Sequence, residues 1–406
     1  CTDGIYIGER RIDHSDCSGP KSATSVLLNP TVDAAVLETA RGGILREGLA
    51  FDYCDVAVVT NIGDGDHLGI SEINTPEELA KVKRCIVDVV SPKGYAVLNA
   101  ADPLVVQMAP HCPGGVLYFA VDSEHPVIVR HRSVGGRAVF MRDGQIIFAD
   151  GNNEEPLMPV ASVPLTLGGK IGFHVENTLA SVAAAWCLGV SLDTIRDRAT
   201  TIAADVGKVP GRFNILEIEG STVIVDYGHN LHSLWAVIDV VNKFPQPRRT
   251  VVYSTAGDRR DCDMIRQGEL LGAAFDRVIL YEDHYRRGRA EGEIISLFRK
   301  GVESASRAKE IIEITGATKA AEAALNIVQP GELLLLQADK IDETMEWIRQ
   351  YVAKLIEQKA AAEELIEEQA PEPAVKAKPV PAANEKLPAS EINAAIMAEA
   401  PAVAKA

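Results

Sequence analysis

Between residues 60 and 69 an apolar run gives way to Thr60-Asn61-Ile62-Gly63-Asp64-Gly65-Asp66-His67-Leu68-Gly69. This stretch is too polar and too flexible to be core, and it carries a carboxylate beside an imidazole. A second stretch of the same kind is Glu38-Thr39-Ala40-Arg41-Gly42-Gly43. Glu38, Asp66 and His67 together would offer oxygens and one imidazole to a hard divalent cation. The structural alternative, that Asp66 and His67 cap the next helix, has equal standing on these residues alone. More chemistry-bearing residues follow at the ends of apolar runs: Asn99 and Asp102, then His174 and Asn177, Arg212, Asp226 and His229, and finally Asp258 and Arg259. Each alone also fits a cap, a turn or a solvated face.

The elements that would position them are short β-branched strands alternating with helices. Strands are expected at 33–37, 55–60, 94–98 and 115–119, with a hairpin at 5–12, a helix at 22–28 and another at 76–89 whose N-cap is Thr75. Such alternation implies parallel βαβ units, in which ligands gather beyond the carboxyl ends of the strands. Between 126 and 168 the texture changes: short strands at 127–130, 138–142, 145–148 and 163–167 suggest a small antiparallel insert. An alanine-rich helix at 174–189 ends at Gly189. A second α/β unit begins near 215, with strands at 222–225, 249–253, 277–281 and 332–337, each stopping in charged residues. The expected division is 1–214, 215–352, and 353–406, the last a helical extension and an Ala/Pro/Glu/Lys tail too poor in large apolar residues to bury a core.

The 406 residues carry a formal net charge of −16, which argues against a nucleic-acid surface. No apolar run approaches the ~20 residues that cross a bilayer, so no membrane span is expected. The seven cysteines are scattered without a CxxC pair, which argues against a disulfide framework or a zinc knuckle and reads as free thiols in a reducing cytoplasm.

Taken in order, these motifs resemble one family. Glu38-Thr39-Ala40-Arg41-Gly42-Gly43, Thr60-Asn61-Ile62 with Asp66-His67-Leu68-Gly69, and Leu98-Asn99-Ala100-Ala101-Asp102-Pro103 resemble the central ATPase domain of the Mur-type ATP-dependent amide ligases. So do Phe173-His174-Val175-Glu176-Asn177 and Pro210-Gly211-Arg212-Phe213. Asp226-Tyr227-Gly228-His229-Asn230 and Gly257-Asp258-Arg259-Arg260-Asp261 resemble the C-terminal domain of that family. The resemblance spans about 2–350, and its wording points to the cyanophycin-making branch.

The resemblance implies a fold and a reaction. The fold is a Mur ligase-like central domain, mostly parallel with an antiparallel insert, followed by a Rossmann-like C-terminal α/β domain. ATP would phosphorylate a carboxylate, and an amine would displace phosphate to give an amide. Magnesium would sit on Glu38 and His67; Asn61, Asn177, Arg212, Asp226, His229 and Asp258 would hold the nucleotide. Lys83, His67 and Arg259 would serve the chemistry, Lys83 at the position of a lysine that several family members carbamylate. The implied partners are an Asp/Arg polymer primer and arginine, read by an acidic recess drawn from Asp258, Asp261, Glu282 and Asp283. Homo-oligomers are common in the family.

One departure stands out. The family's phosphate loop ends in Gly-Lys-Thr or Gly-Lys-Ser, and neither occurs here; Gly19-Pro20-Lys21-Ser22 has a proline inside it and Gly169-Lys170-Ile171 lacks the hydroxyl. With Cys1 at its start, the chain reads as a C-terminal piece of such a ligase, expected to be inactive alone. The alternatives are a relative acting on another acidic substrate or a dipeptide, and a non-catalytic binding or scaffold subunit.

Overall fold

The computed structural model describes residues 1–65, 68–203, 209–338 and 341–369, with side chains as far as 358. The chain opens on the expected hairpin, β1 (Ile5–Ile7) and β2 (Arg10–Asp13), followed by α1 (Pro20–Leu27) and α2 (Arg41–Glu47). The first sheet is built from β3 (Cys54–Val59), β4 (Val90–Asn99), β5 (Gly115–Ala120) and β6 (Arg137–Arg142), all parallel. The antiparallel β7 (Gln145–Asp150) and β8 (Asn153–Pro159) complete it, in the order β3-β4-β5-β6-β7-β8. Its crossovers hold α3 (Pro76–Lys83), α4 (Cys85–Asp88), α5 (Pro103–Val106) and α6 (Pro126–Ser133); α7 (Gly172–Cys187) and α8 (Leu192–Ala199) follow the sheet.

Both faces of this sheet are covered, as a parallel sheet requires. Leu79, Val87, Val105 and Ile128 pack on Ala96, Leu98 and Phe140, while Val175, Leu179 and Ala183 of α7 pack on Val97, Leu117 and Phe119 of the opposite face. Thr75 caps α3 in a reciprocal box with Glu78, as its sequence position leads one to expect.

The second sheet has the order β13-β12-β11-β14-β10-β9. Its strands are β9 (Asn214–Ile218), β10 (Ser221–Asp226), β11 (Arg249–Tyr253), β12 (Arg277–Glu282), β13 (Glu310–Thr315) and β14 (Leu333–Gln337), only β9 being antiparallel. Between them run α9 (Leu231–Val241), α10 (Asp261–Ala274), α11 (Glu293–Ser304) and α12 (Ala317–Ile327), and α13 (Ile341–Gln369) closes the described chain. Helices α10 and α11 approach closely because Gly268 and Gly301 have no side chain; a Cβ on either would run into the facing backbone. One compact unit spans Cys1–Val352.

Four sequence expectations are corrected. Residues 33–37 open on bends at Asp33 and Ala34 and form no strand: the first sheet ends at β3, no ladder partner is present among the described residues, and Val36 is 96% exposed. The β-branched 127–130 run is the helix α6, started by Pro126 at its first turn and held by the wholly buried Ile128. Residues 164–166 form a 3-10 turn, not a strand, because the Thr166 hydroxyl donates to the Val160 and Val163 carbonyls. The antiparallel strands missing from the sequence reading are β8 and β9; Pro156 is tolerated in β8 because that is an edge strand with a bulge opposite. Residues 371–406, read as a tail, lie outside the described residues.

Candidate functional site

The loops that follow β3, β10 and β11 meet. Gly63, in the left-handed region at φ 57°, approaches α9 so closely that a Cβ there would lie 3.3 Å from Nδ1 of His232. Gly69 lies against Arg260, its Cβ position 3.7 Å from that side chain. The end of the first sheet's edge strand thus touches the strand-end loops of the second sheet.

The β3 loop is held by one carboxylate. Oδ2 of Asp102 accepts the Ile62 and Gly63 N–H groups at 2.6 and 3.0 Å, and Oδ1 accepts those of Leu104 and Val105 at 2.9 and 3.2 Å. Asp102 is therefore both the N-cap of α5 and the anchor of the loop that carries Asn61, itself exposed. Asp66 and His67 lie outside the described residues. Lys83 sits half-buried in the last turn of α3. The Glu38 carboxylate accepts from the Thr2 backbone N–H at 2.7 Å and the Thr2 hydroxyl at 2.6 Å. Among the described residues no three His, Cys, Asp or Glu side chains converge to hold a metal ion. Each Glu38 oxygen thus accepts one hydrogen bond, and His67, the other residue expected to hold magnesium, lies outside the described residues.

Around Tyr227 the grouping is tighter. The Arg212 guanidinium lies over the Tyr227 ring at 4.8 Å, and the His229 ring meets the Tyr227 ring edge-on at 4.7 Å. Asp226 is only 9% exposed, and burial raises its carboxyl to about 6 despite N–H donors and the nearby Arg212 charge. The His229 carbonyl accepts from Thr255 and Gln267, tying this turn to the loop after β11. His174, in the first turn of α7, is 5% exposed, and among the described residues neither ring nitrogen has a hydrogen-bond partner of good geometry. Burial pushes its pKa down to about 4, the Arg212 main chain opposing weakly. Glu176 is raised by burial, with the charge of His232 opposing. Asn177, one turn along α7, is exposed.

The acidic residues expected to read a guanidinium already face guanidinium groups or backbone. Asp258 accepts from Arg259 at 3.0 Å and Arg287 at 2.6 Å, and Asp261 accepts from Arg289 at 2.7 Å. Glu282 is 1% exposed and accepts from Arg286 at 3.0 Å and the Gly292 N–H at 2.7 Å, while Asp283 accepts the Ala317 N–H at 3.2 Å. Arg259 is itself buried, at 8% exposure. His232, Arg287 and Arg289 went unassigned in the sequence. The available signals were the position of His232 in the first turn after the 226–230 motif and the density of arginines behind β12.

Comparison with known proteins places this arrangement in a family. Residues 2–185 match the model of the Mur ligase middle domain, and residues 211–339 match that of the Mur ligase glutamate ligase domain. The chain belongs to the Mur ligase family. It is similar to the cyanophycin synthetase of Crocosphaera subtropica, 40% identical over 347 residues, 86% of this chain and 40% of that protein. The cyanophycin synthetase of Synechocystis is likewise 40% identical over 350 residues, 86% of this chain and 40% of that protein. The chain thus spans about 40% of the length of these curated relatives. Among solved structures, Escherichia coli FolC in complex with DHPP and ADP superposes with a TM-score of 0.54 at 19% identity, covering 74% of this chain and 63% of that one. That likeness concerns the fold. Among the described residues no helix is long and apolar enough to cross a membrane.

Proposed function

We propose that this chain is the amide-forming part of an ATP-dependent carbon–nitrogen ligase that joins arginine to the side-chain carboxyl of aspartyl residues in an Asp/Arg polymer. In this reading residues 1–214 form the ATPase-type domain, 215–352 the C-terminal domain, and 353–406 an extension. An aspartyl carboxylate oxygen attacks the γ-phosphorus of ATP as the bond to the β,γ-bridging oxygen breaks, giving an acyl phosphate and ADP. The arginine amine then attacks the acyl carbon, phosphate leaves, and the amine gives up a proton. Such a transfer needs positioning and neutralising charge more than covalent help from the protein. Arg212, held over Tyr227, and Arg259 supply fixed positive charge, and the His229 ring meets the Tyr227 ring edge-on. Lys83 and Asn61 flank the loop after β3, and Asn177 offers an exposed amide on α7.

The observation that supports this reading is the meeting of strand-end loops from both sheets, Gly63 on His232 and Gly69 on Arg260. Two half-reactions that share one acyl phosphate need their groups at one place. The 406 residues hold no Gly-Lys-Thr or Gly-Lys-Ser. Taken alone they are expected to bind nucleotide with a Kd above about 1 mM, a net of less than ~4 kcal/mol.

The test is a chimera in which residues 2–350 replace the matching stretch of the Synechocystis protein. ATP-dependent incorporation of labelled arginine into an Asp/Arg polymer is expected. A chimera that folds and adds aspartate but transfers another amino acid in preference to arginine sinks the substrate assignment.

A further inference from the structure

We infer that Asp226 is a positioning residue, whose buried carboxylate ties the backbone just after Arg212 to the turn after β10 and so presents that guanidinium, rather than a nucleotide contact itself. The inference rests on the ligase reading for what Arg212 does, but its geometry stands apart from it.

The segment 209–214 joins the two sheets and is stitched in place by hydrogen bonds. Asn214 accepts the Gly211 N–H at 2.6 Å and donates to the Val209 carbonyl at 3.0 Å, and the Tyr227 N–H donates to the Gly211 carbonyl at 2.8 Å. Arg212 lies between two residues in the left-handed region, Gly211 at φ 68° and Phe213 at φ 54°. Gly211 has no room for a side chain, since a Cβ would fall 2.8 Å from Ile341. Phe213 is the unusual member: an aromatic residue gains nothing from left-handed backbone and is disfavoured there. It is nonetheless wholly buried, edge-on to Phe173 at 5.6 Å and near Phe244 at 6.4 Å.

What holds Phe213 in that conformation is Asp226. Its Oδ2 accepts the Phe213 N–H at 2.9 Å and its Oδ1 accepts the Gly228 N–H at 2.7 Å, while its carbonyl accepts from Ala338. Gly228 is required for that approach, because a Cβ on it would sit 2.7 Å from Oδ1. Each carboxylate oxygen is thus engaged with a backbone donor, and little of the side chain reaches solvent. The same turn that bends the chain twice in three residues sets Arg212 over Tyr227. Asp226 therefore acts on a ligand through Arg212.

The experiment compares the full chain with Asp226→Asn, which keeps the shape but places an NH2 against a backbone N–H. Hydrogen–deuterium exchange, read by mass spectrometry, is expected to show the Phe213 amide exchanging at least ~tenfold faster, with the interior of β10 and β11 unchanged. Unchanged protection at Phe213, or a uniform loss across the sheet, overturns the inference. Should the variant not fold, the wild-type chain still decides: an unprotected Phe213 amide overturns the clamp.

ADP titrated by ligand-observed NMR then separates positioning from contact. Asp226→Asn and Arg212→Ala should each weaken ADP by ~fivefold, and the double variant should be no weaker than Arg212→Ala within ~twofold. Losses that multiply would make Asp226 a direct contact and overturn the inference. No response of the wild-type chain to ~10 mM ADP would agree with a Kd above about 1 mM, and the exchange result alone would then judge the clamp.

Discussion

Replacing Asp102 tests whether one carboxylate holds the loop after β3 to the rest of the first sheet. Four backbone N–H groups converge on it, two from Ile62 and Gly63 and two from the first turn of α5. In Asp102→Ala the α5 cap is lost, at about 1 kcal/mol. Its partners on the loop side include the amide of Ile62, a residue only 5% exposed, so water replaces that acceptor poorly. Hydrogen bonds to a charged acceptor contribute about 1.5–3 kcal/mol, and partial hydration of Gly63 trims the loop side to about 2. The expected cost is therefore about 3 kcal/mol in the first urea transition. Asp102→Asn retains one acceptor oxygen and should cost about half as much. An Ala variant within about 0.5 kcal/mol of wild type, or an Asn variant as costly as Ala, would refute the anchoring argument.

Two further outcomes follow from buried groups. His174 has a folded-state pKa of about 4, below its unfolded value near 6.5, so it contributes destabilisation as pH falls from about 6.5 towards 4. Asp226, raised to about 6, acts in the opposite sense over the same window. Between pH 7 and about 4.5 the His174→Gln variant should therefore lose about 2 kcal/mol less stability than wild type, read from paired urea midpoints; parallel pH profiles would count against the burial of a neutral imidazole. Burial also pushes the Cys54 thiol up to about 11 and the Cys187 thiol up to about 12, whereas Cys1 and Cys262 are exposed. Native-state alkylation at pH 7.5, mapped by mass spectrometry, should label Cys1 and Cys262 first and leave Cys54 and Cys187 until last, and early labelling of Cys54 would contradict its packing.

Much of the architecture was written in local pattern. The apolar runs at 55–60, 94–98, 115–119, 222–225, 249–253, 277–281 and 332–337 all fall on strands, because a strand buried on both faces must be continuously apolar whatever its neighbours. The capping box at Thr75 and the glycine stop at Gly189 are likewise local chemistry. The family too was legible, since its motifs are strand-end loops whose residue types recur in fixed order.

What local pattern left open was pairing and partnership. Residues 33–37 have strand-like composition, yet a strand exists only with a ladder partner, and the segment has none among the described residues. Residues 127–130 look like a strand, and it is the fit of Ile128 beneath β5 and β6, with Pro126 starting the turn, that makes them a helix. β9, β13 and the proline-bearing β8 are edge strands, half-exposed and weakly patterned, so their pairing comes from the sheet they join. The same division runs through the site. Composition marked Asp226, Arg212 and Asp258 as chemically able. Tertiary structure turned Asp226 inward onto the Phe213 and Gly228 amides and set the acidic residues behind β11 and β12 against arginines and backbone N–H groups of the same chain. The types of the reactive groups are fixed by sequence, but which proton or charge each one faces depends on residues tens of positions away, and only the folded chain brings those together.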